Sequence, residues 1–228
     1  MIAIIVAAGS SRRMGFDKLT AELMGVPVVV HSLRAFERCE AVNEIILVAR
    51  EDRLGGFEQL ARRYGVSKLA CVLAGGSERH FSVANGLEAA RNRSGAGEYV
   101  AVHDAARPLI TPAAITACLE VARTSGGGAA CAAPVADTLK RVDADGRVAE
   151  SVDRARLWAM QTPQIFHLPL LLQAYEAVLA RGELVTDEVS AVQSLGVRVA
   201  LYQNDEPNFK ITLPRDLHLA RLVLADRA

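Results

Sequence analysis

From Ala7 to Lys18 the chain reads AAGSSRRMGFDK. The small residues Ala7, Ala8, Gly9, Ser10 and Ser11 let backbone N–H groups come close to a ligand. Arg12, Arg13 and Lys18 add positive charge within the same stretch. A guanidinium offers phosphate oxygens a planar fork, and an ammonium offers a point charge. The chemistry implied is the holding of a phosphate chain. Two familiar patterns do not fit. A P-loop would place its second glycine one residue before Gly15, with the lysine directly after it. A dinucleotide fingerprint would have glycine where Ser11 stands. A solvated basic turn is the competing reading. The buried-looking run Ile2–Val6 directly before the loop favours phosphate, because ligands sit beyond the carboxyl ends of such strands.

The elements that must position this loop follow from hydrophobic patterning. Ile2–Val6, Glu44–Ala49, Leu69–Leu73, Tyr99–Val102 and Gly128–Val135 are short apolar runs, predicted as buried strands. Pro27–Cys39, Phe57–Tyr64, Ser77–Asn92 and Pro112–Thr124 are predicted as the helices between them, with Glu78 in a first turn. Further helices are expected at Pro169–Arg181, Asp187–Leu195 and Pro214–Ala225, and a strand at Val197–Tyr202. This alternation predicts an α/β fold, a mostly parallel sheet with helices on both faces. The loops after Val6, Leu73 and Val102 then share one face. The rhythm breaks at residues 137–157, where polar and apolar residues alternate around Asp145-Gly146. That is a hairpin signal. With little apolar content of its own, the hairpin is expected to project as an arm from a single domain spanning 1–228.

The 228 residues carry 26 basic and 26 acidic side chains, so the formal net charge is zero. A general nucleic-acid binder is disfavoured. Cys39, Cys71, Cys118 and Cys131 are scattered without a C-x-x-C pair, which suggests small buried thiols in a reducing compartment. No apolar run approaches the roughly 20 residues of a membrane span, and the first residues lack a basic leader. A cytoplasmic protein without a membrane partner is the expectation.

Further motifs follow the loop in order: GGSERHFSVANGL from Gly75, VHDAARP from Val102, DTLKR from Asp137, VDR from Val152, LWAMQTPQ from Leu157, TDE from Thr186 and NFKIT from Asn208. Together with the loop they resemble the 2-C-methyl-D-erythritol 4-phosphate cytidylyltransferase family of sugar-nucleotide-type nucleotidyltransferases, over nearly the whole chain. In this chain the span from Met14 to Lys18 is shorter than is common there. The resemblance implies a Rossmann-like fold and transfer of CMP from CTP to methylerythritol phosphate. It implies that Arg13, rather than Arg12, and Lys18 stabilise the transition state. It places CTP against Ala7, Ala8, Gly9, Gly75, Gly76, Ser77, Ser82, Asp104 and Ala105. It places the sugar phosphate against Asp104, Arg107, Thr138, Arg154, Thr162, Thr186 and Lys210, with Arg154 and Lys210 orienting its phosphate. Mg²⁺ is implied as cofactor, held mainly by the triphosphate with Asp104 assisting indirectly. A homodimer joined through the arm is implied as well. His103 is read as structural. Rival readings are a ribitol 5-phosphate cytidylyltransferase, a molybdopterin-type nucleotidyltransferase and a noncatalytic nucleotide-binding module.

Overall fold

The computed structural model describes residues 1–9, 14–93 and 98–227. The strands are β1 Ile2–Ala7, β2 Glu22–Leu23, β3 Val26–Pro27, β4 Glu44–Ala49, β5 Leu69–Ala74 and β6 Tyr99–Asp104. They continue with β7 Ala129–Pro134, β8 Leu139–Val142, β9 Val148–Val152, β10 Trp158–His167 and β11 Ala200–Gln203. The helices are α1 Val28–Glu37, α2 Leu54–Arg63, α3 Arg79–Arg91, α4 Pro112–Ser125, α5 Leu168–Ala180, α6 Glu188–Gln193 and α7 Pro214–Asp226.

Seven strands form one sheet in the order β11-β7-β10-β6-β1-β4-β5. β1 pairs in parallel with both β4 and β6, so both of its edges are paired, and helices cover both of its faces. Its alternate residues accordingly enter two cores. Ala3, Ile5 and Ala7 pack with α1, α2, α4 and α7, whereas Ile2 and Ile4 pack with α3, α5 and α6. β10 is antiparallel to β6 and to β7. Its first half therefore lies beside the carboxyl ends of those neighbours, and it brings Gln161 and Thr162 to the ligand-binding edge.

The expected α/β architecture is present, with several differences. β10 was not anticipated, because Thr162 and Pro163 interrupt its apolar pattern; the register shifts there, between Met160 and Gln164. Pro27 belongs to the small β2–β3 hairpin, and α1 begins one residue later. α2 starts at Leu54 and runs through Gly55 and Gly56, ahead of the expected Phe57. Glu78 stands at the cap position of α3 without a side-chain capping bond. Asp104 closes β6 instead of following it.

The expected arm is β8–β9, a two-stranded sheet of its own. Gly146 takes a positive φ of 78° in its turn, and the Asp143 carboxylate accepts from the backbone N–H groups of Asp145 and Arg147. Most arm residues are exposed.

Candidate active site

β1 and β6 end in register, Val6 opposite Asp104. Beyond them lies a cavity of about 490 Å³, lined by Ala7, Ala8, Gly9, Lys18, Gly76, Ser77, Ser82 and Asp104, with Arg79 and Lys210. Arg13, together with Ser10, Ser11 and Arg12, lies outside the described residues. Lys18 donates to the Ile211 carbonyl at 2.8 Å. The short span before it is held by Asp17, whose carboxylate accepts from Leu19 N–H at 3.0 Å and pairs with Arg53 at 2.9 Å.

Ser82 sits on the first turns of α3 and faces the loop before it. Its hydroxyl accepts from Gly76 N–H and donates to the Glu78 carbonyl, both at 3.1 Å. Gly75 is not among the residues that line this cavity. A Cβ there would stand 2.6 Å from Ser82 Oγ and 2.7 Å from Ala8 Cβ, so glycine lets the two segments meet. Ala105 is likewise behind the wall. Its N–H donates to Val6 and its carbonyl accepts from Ser32 Oγ.

A second cavity of about 320 Å³ adjoins the first. Arg107, Thr162, Thr186, Gln161 and Gln164 line it, and Arg79, Asp104 and Lys210 line both. These three side chains form the shared wall. Asp104 Oδ2 accepts from Lys210 Nζ at 2.8 Å, and Oδ1 accepts from Arg79 Nε at 3.2 Å. Burial opposes the charge of Asp104. Arg79, then Lys210 and Arg107, outweigh it and hold the carboxyl well below the usual range. Burial also opposes the charge of Arg79, yet Glu188 and Asp104 raise its pKa. Arg107 donates to the carbonyls of Asn208 at 2.8 Å and Met160 at 3.3 Å.

His103 is fully buried, and burial pushes its pKa down to about 3. Its Nε2 faces the Arg107 carbonyl at 3.2 Å, which can only accept. The neutral ring therefore donates there and accepts at Nδ1 from Thr162 Oγ1, at 3.0 Å. Thr162 Oγ1 in turn accepts from Asp104 N–H at 3.0 Å. His103 is thus a structural group, and the Thr162 hydroxyl is spent on fixing the end of β6.

Not all expected residues converge. Thr138 and Arg154 line neither cavity; both are exposed beside the arm, and Arg154 donates to the Ala136 carbonyl. Conversely, Arg79 and Glu188 were not anticipated as site residues. Glu188 is completely buried at the start of α6 and binds Arg79 through both oxygens. The hints were a glutamate in the apolar segment EVSAV and an arginine inside GGSERH. Their partnership spans 109 positions and arises only from the fold.

Among the described residues, no group of three His, Cys, Asp or Glu side chains is placed to hold a metal ion. Asp104 already has a cation on each oxygen. The lining thus does not fit a resident metal cage; a hard cation here suits the phosphates of a bound nucleotide.

A family model described as IspD: 2-C-methyl-D-erythritol 4-phosphate cytidylyltransferase matches residues 1–226. The chain belongs to this family. The IspD-family enzyme named 2-C-methyl-D-erythritol 4-phosphate cytidylyltransferase of Geobacillus thermodenitrificans is 41% identical over 99% of this chain and 97% of its own. Its namesake from Bacillus licheniformis is 42% identical over 97% and 94%. The crystal structure of the Francisella tularensis IspD has a TM-score of 0.82 and 27% identity, covering 97% of this chain and 98% of that one. IspD enzymes are cytidylyltransferases, so the chain is a nucleotidyltransferase of that class. These names favour methylerythritol phosphate over ribitol 5-phosphate as acceptor.

Proposed function

We propose that the larger cavity takes CTP, the smaller takes 2-C-methyl-D-erythritol 4-phosphate, and CMP passes between them. The products are 4-diphosphocytidyl-2-C-methyl-D-erythritol and pyrophosphate, in isoprenoid biosynthesis by the non-mevalonate route. The observation that carries this reading is the common wall of Arg79, Asp104 and Lys210 between two adjoining cavities. Two substrates can occupy the site together.

A phosphate monoester has its second pKa near about 6, so its oxygen is largely ionised at neutral pH and needs no general base. The neutral, buried His103 agrees with that. Catalysis then rests on alignment and on cations facing the charge that develops. Lys18 and Arg13 supply that charge at the nucleotide's phosphates. Ala7, Ala8 and Gly9 cradle them with backbone N–H groups, while Gly76, Ser77 and Ser82 meet the cytosine. Asp104 faces the sugar hydroxyls. Lys210, with Arg154, orients the acceptor's phosphate, and Arg107 and Thr186 complete its cavity. Mg²⁺ enters as part of the nucleotide substrate, neutralising its phosphates.

Arg154 and Thr138 reach a site when the arm of one chain lies over the other in a homodimer. Val142 and Val148, 55% and 66% exposed on the arm, suit burial against such a partner. Among the described residues no helix is long and apolar enough to cross a membrane. A cytoplasmic location agrees with the free, mostly buried thiols.

The direct test is pyrophosphate release from CTP with and without methylerythritol phosphate. Release that depends on this acceptor is expected. Equal release without it, or preference for ribitol 5-phosphate, would overturn the reading.

A further inference from the structure

The Arg79–Glu188 pair has a completely buried carboxylate, yet Glu188 lines neither cavity. Three features fix it. Asp187 caps α6 by accepting from Ser190 N–H at 3.0 Å. Gln164 of β10 grips the same turn, donating to Asp187 Oδ2 at 3.0 Å and accepting from Val189 N–H at 2.9 Å. The Tyr175 hydroxyl of α5 donates to Glu188 Oε1 at 3.0 Å.

Arg79 is therefore clamped from behind. Its Nη1 and Nη2 bind the Glu188 oxygens at 2.7 and 3.2 Å, which leaves Nε facing Asp104. Asp104 is thus gripped through both oxygens, by Arg79 on one side and Lys210 on the other. A buried ion pair is often replaceable by apolar residues without loss of stability. Its placement here has a clearer consequence for geometry than for stability.

We propose that Glu188 is a positioning residue for the acceptor. Acting through Arg79, it fixes the Asp104 carboxylate and so the Lys210 ammonium beside the smaller cavity. The proposal rests on that cavity taking methylerythritol phosphate. Without the charge of Glu188, the Nη groups of Arg79 turn toward Asp104 and compete with Lys210 for its oxygens. The cradle of Ala8, Gly9, Gly76 and Ser82 on the nucleotide side keeps its own backbone supports.

The test is steady-state pyrophosphate release with each substrate varied in turn, on the full chain. Two variants are compared with the wild type: Glu188→Gln, and the double variant Tyr175→Phe, Glu188→Met, which removes the carboxylate together with the hydroxyl that donates to it and leaves Arg79 its bond to Asp104. Thermal unfolding is followed in parallel. Small displacements of aligned groups cost up to about 100-fold. The KM for methylerythritol phosphate is expected to rise about tenfold or more in both variants, well beyond any rise in the KM for CTP. Either variant that folds decides the matter, and the double variant leaves no hydroxyl unpaired at Tyr175 if Glu188→Gln does not fold. A folded variant with an unchanged acceptor KM overturns the proposal, as does an equal rise in both KM values. Those outcomes leave the wild-type activity standing. A wild type that shows no acceptor-dependent release removes the assignment of the cavities instead.

Discussion

At the scale of single residues, the site is organised by who neutralises whom. His103 illustrates the sign of such effects. Its folded pKa of about 3 lies below the ordinary histidine value of about 6.5. Between those values the unfolded chain binds the proton and the folded chain does not, so stability falls as pH falls through that window. Thermal unfolding of the wild type between pH 7 and 4 should therefore decline more steeply than that of His103→Gln. Parallel declines would show that His103 is not the group responsible. Lys18 makes a different prediction. If it faces charge developing on the transferred phosphate, Lys18→Ala lowers kcat by roughly 100-fold or more; an unchanged kcat removes it from the chemistry. Lys18 and Asp104 could be found in the sequence, because charges in a glycine-containing segment or at a strand end are conspicuous, whereas Lys210 was signalled only by the resemblance of NFKIT to the family's motif. Glu188 could not. A glutamate in an apolar helix looks the same whether it is solvated or clamped, and its partner lies far away in the chain.

At the scale of elements, α3 decides how closely the nucleotide side is drawn in. It starts at Arg79, carries Ser82, and rides on the sheet at Gly86. A Cβ at Gly86 would stand 2.6 Å from Ile4 Cγ2 and 3.2 Å from Val48 Cγ2, both wholly buried. Helix propensity favours alanine there by about 1 kcal/mol. Overpacking costs about 1–3 kcal/mol, and with both neighbours enclosed it prevails. Gly86→Ala should lower the unfolding temperature and raise the KM for CTP; unfolding at or above the wild-type temperature would show that the sheet yields. The parallel strands and most helices were evident from periodicity alone. β10 was not, since a strand crossing two environments, with Thr162-Pro163 at the crossing, has no single period. This reversed strand is also what carries Gln161 and Thr162 to the site.

At the scale of the whole molecule, one chain leaves its proposed site incomplete. Arg154 and Thr138 stay beside the exposed arm, away from both cavities. The hairpin itself was evident from Asp145-Gly146, but its proposed cover is a second molecule, which no local pattern encodes. In a two-fold dimer with exchanged arms, Lys18→Ala and Arg154→Ala spoil different halves of each site. Mixing the two inactive proteins should restore roughly a quarter of the wild-type rate once subunits exchange, because each mixed dimer keeps one intact site. Exchange without recovery would count against shared sites.

The common wall of Arg79, Asp104 and Lys210 has one more consequence. With donor and acceptor bound in the adjoining cavities as proposed, the acceptor oxygen attacks the phosphorus directly, opposite the departing pyrophosphate. A single displacement of that kind turns the phosphorus inside out. CTP carrying sulfur at one diastereotopic position of that atom should therefore yield product of inverted handedness. Retained handedness would betray two successive displacements, with the cytidylyl group parked on the protein in between.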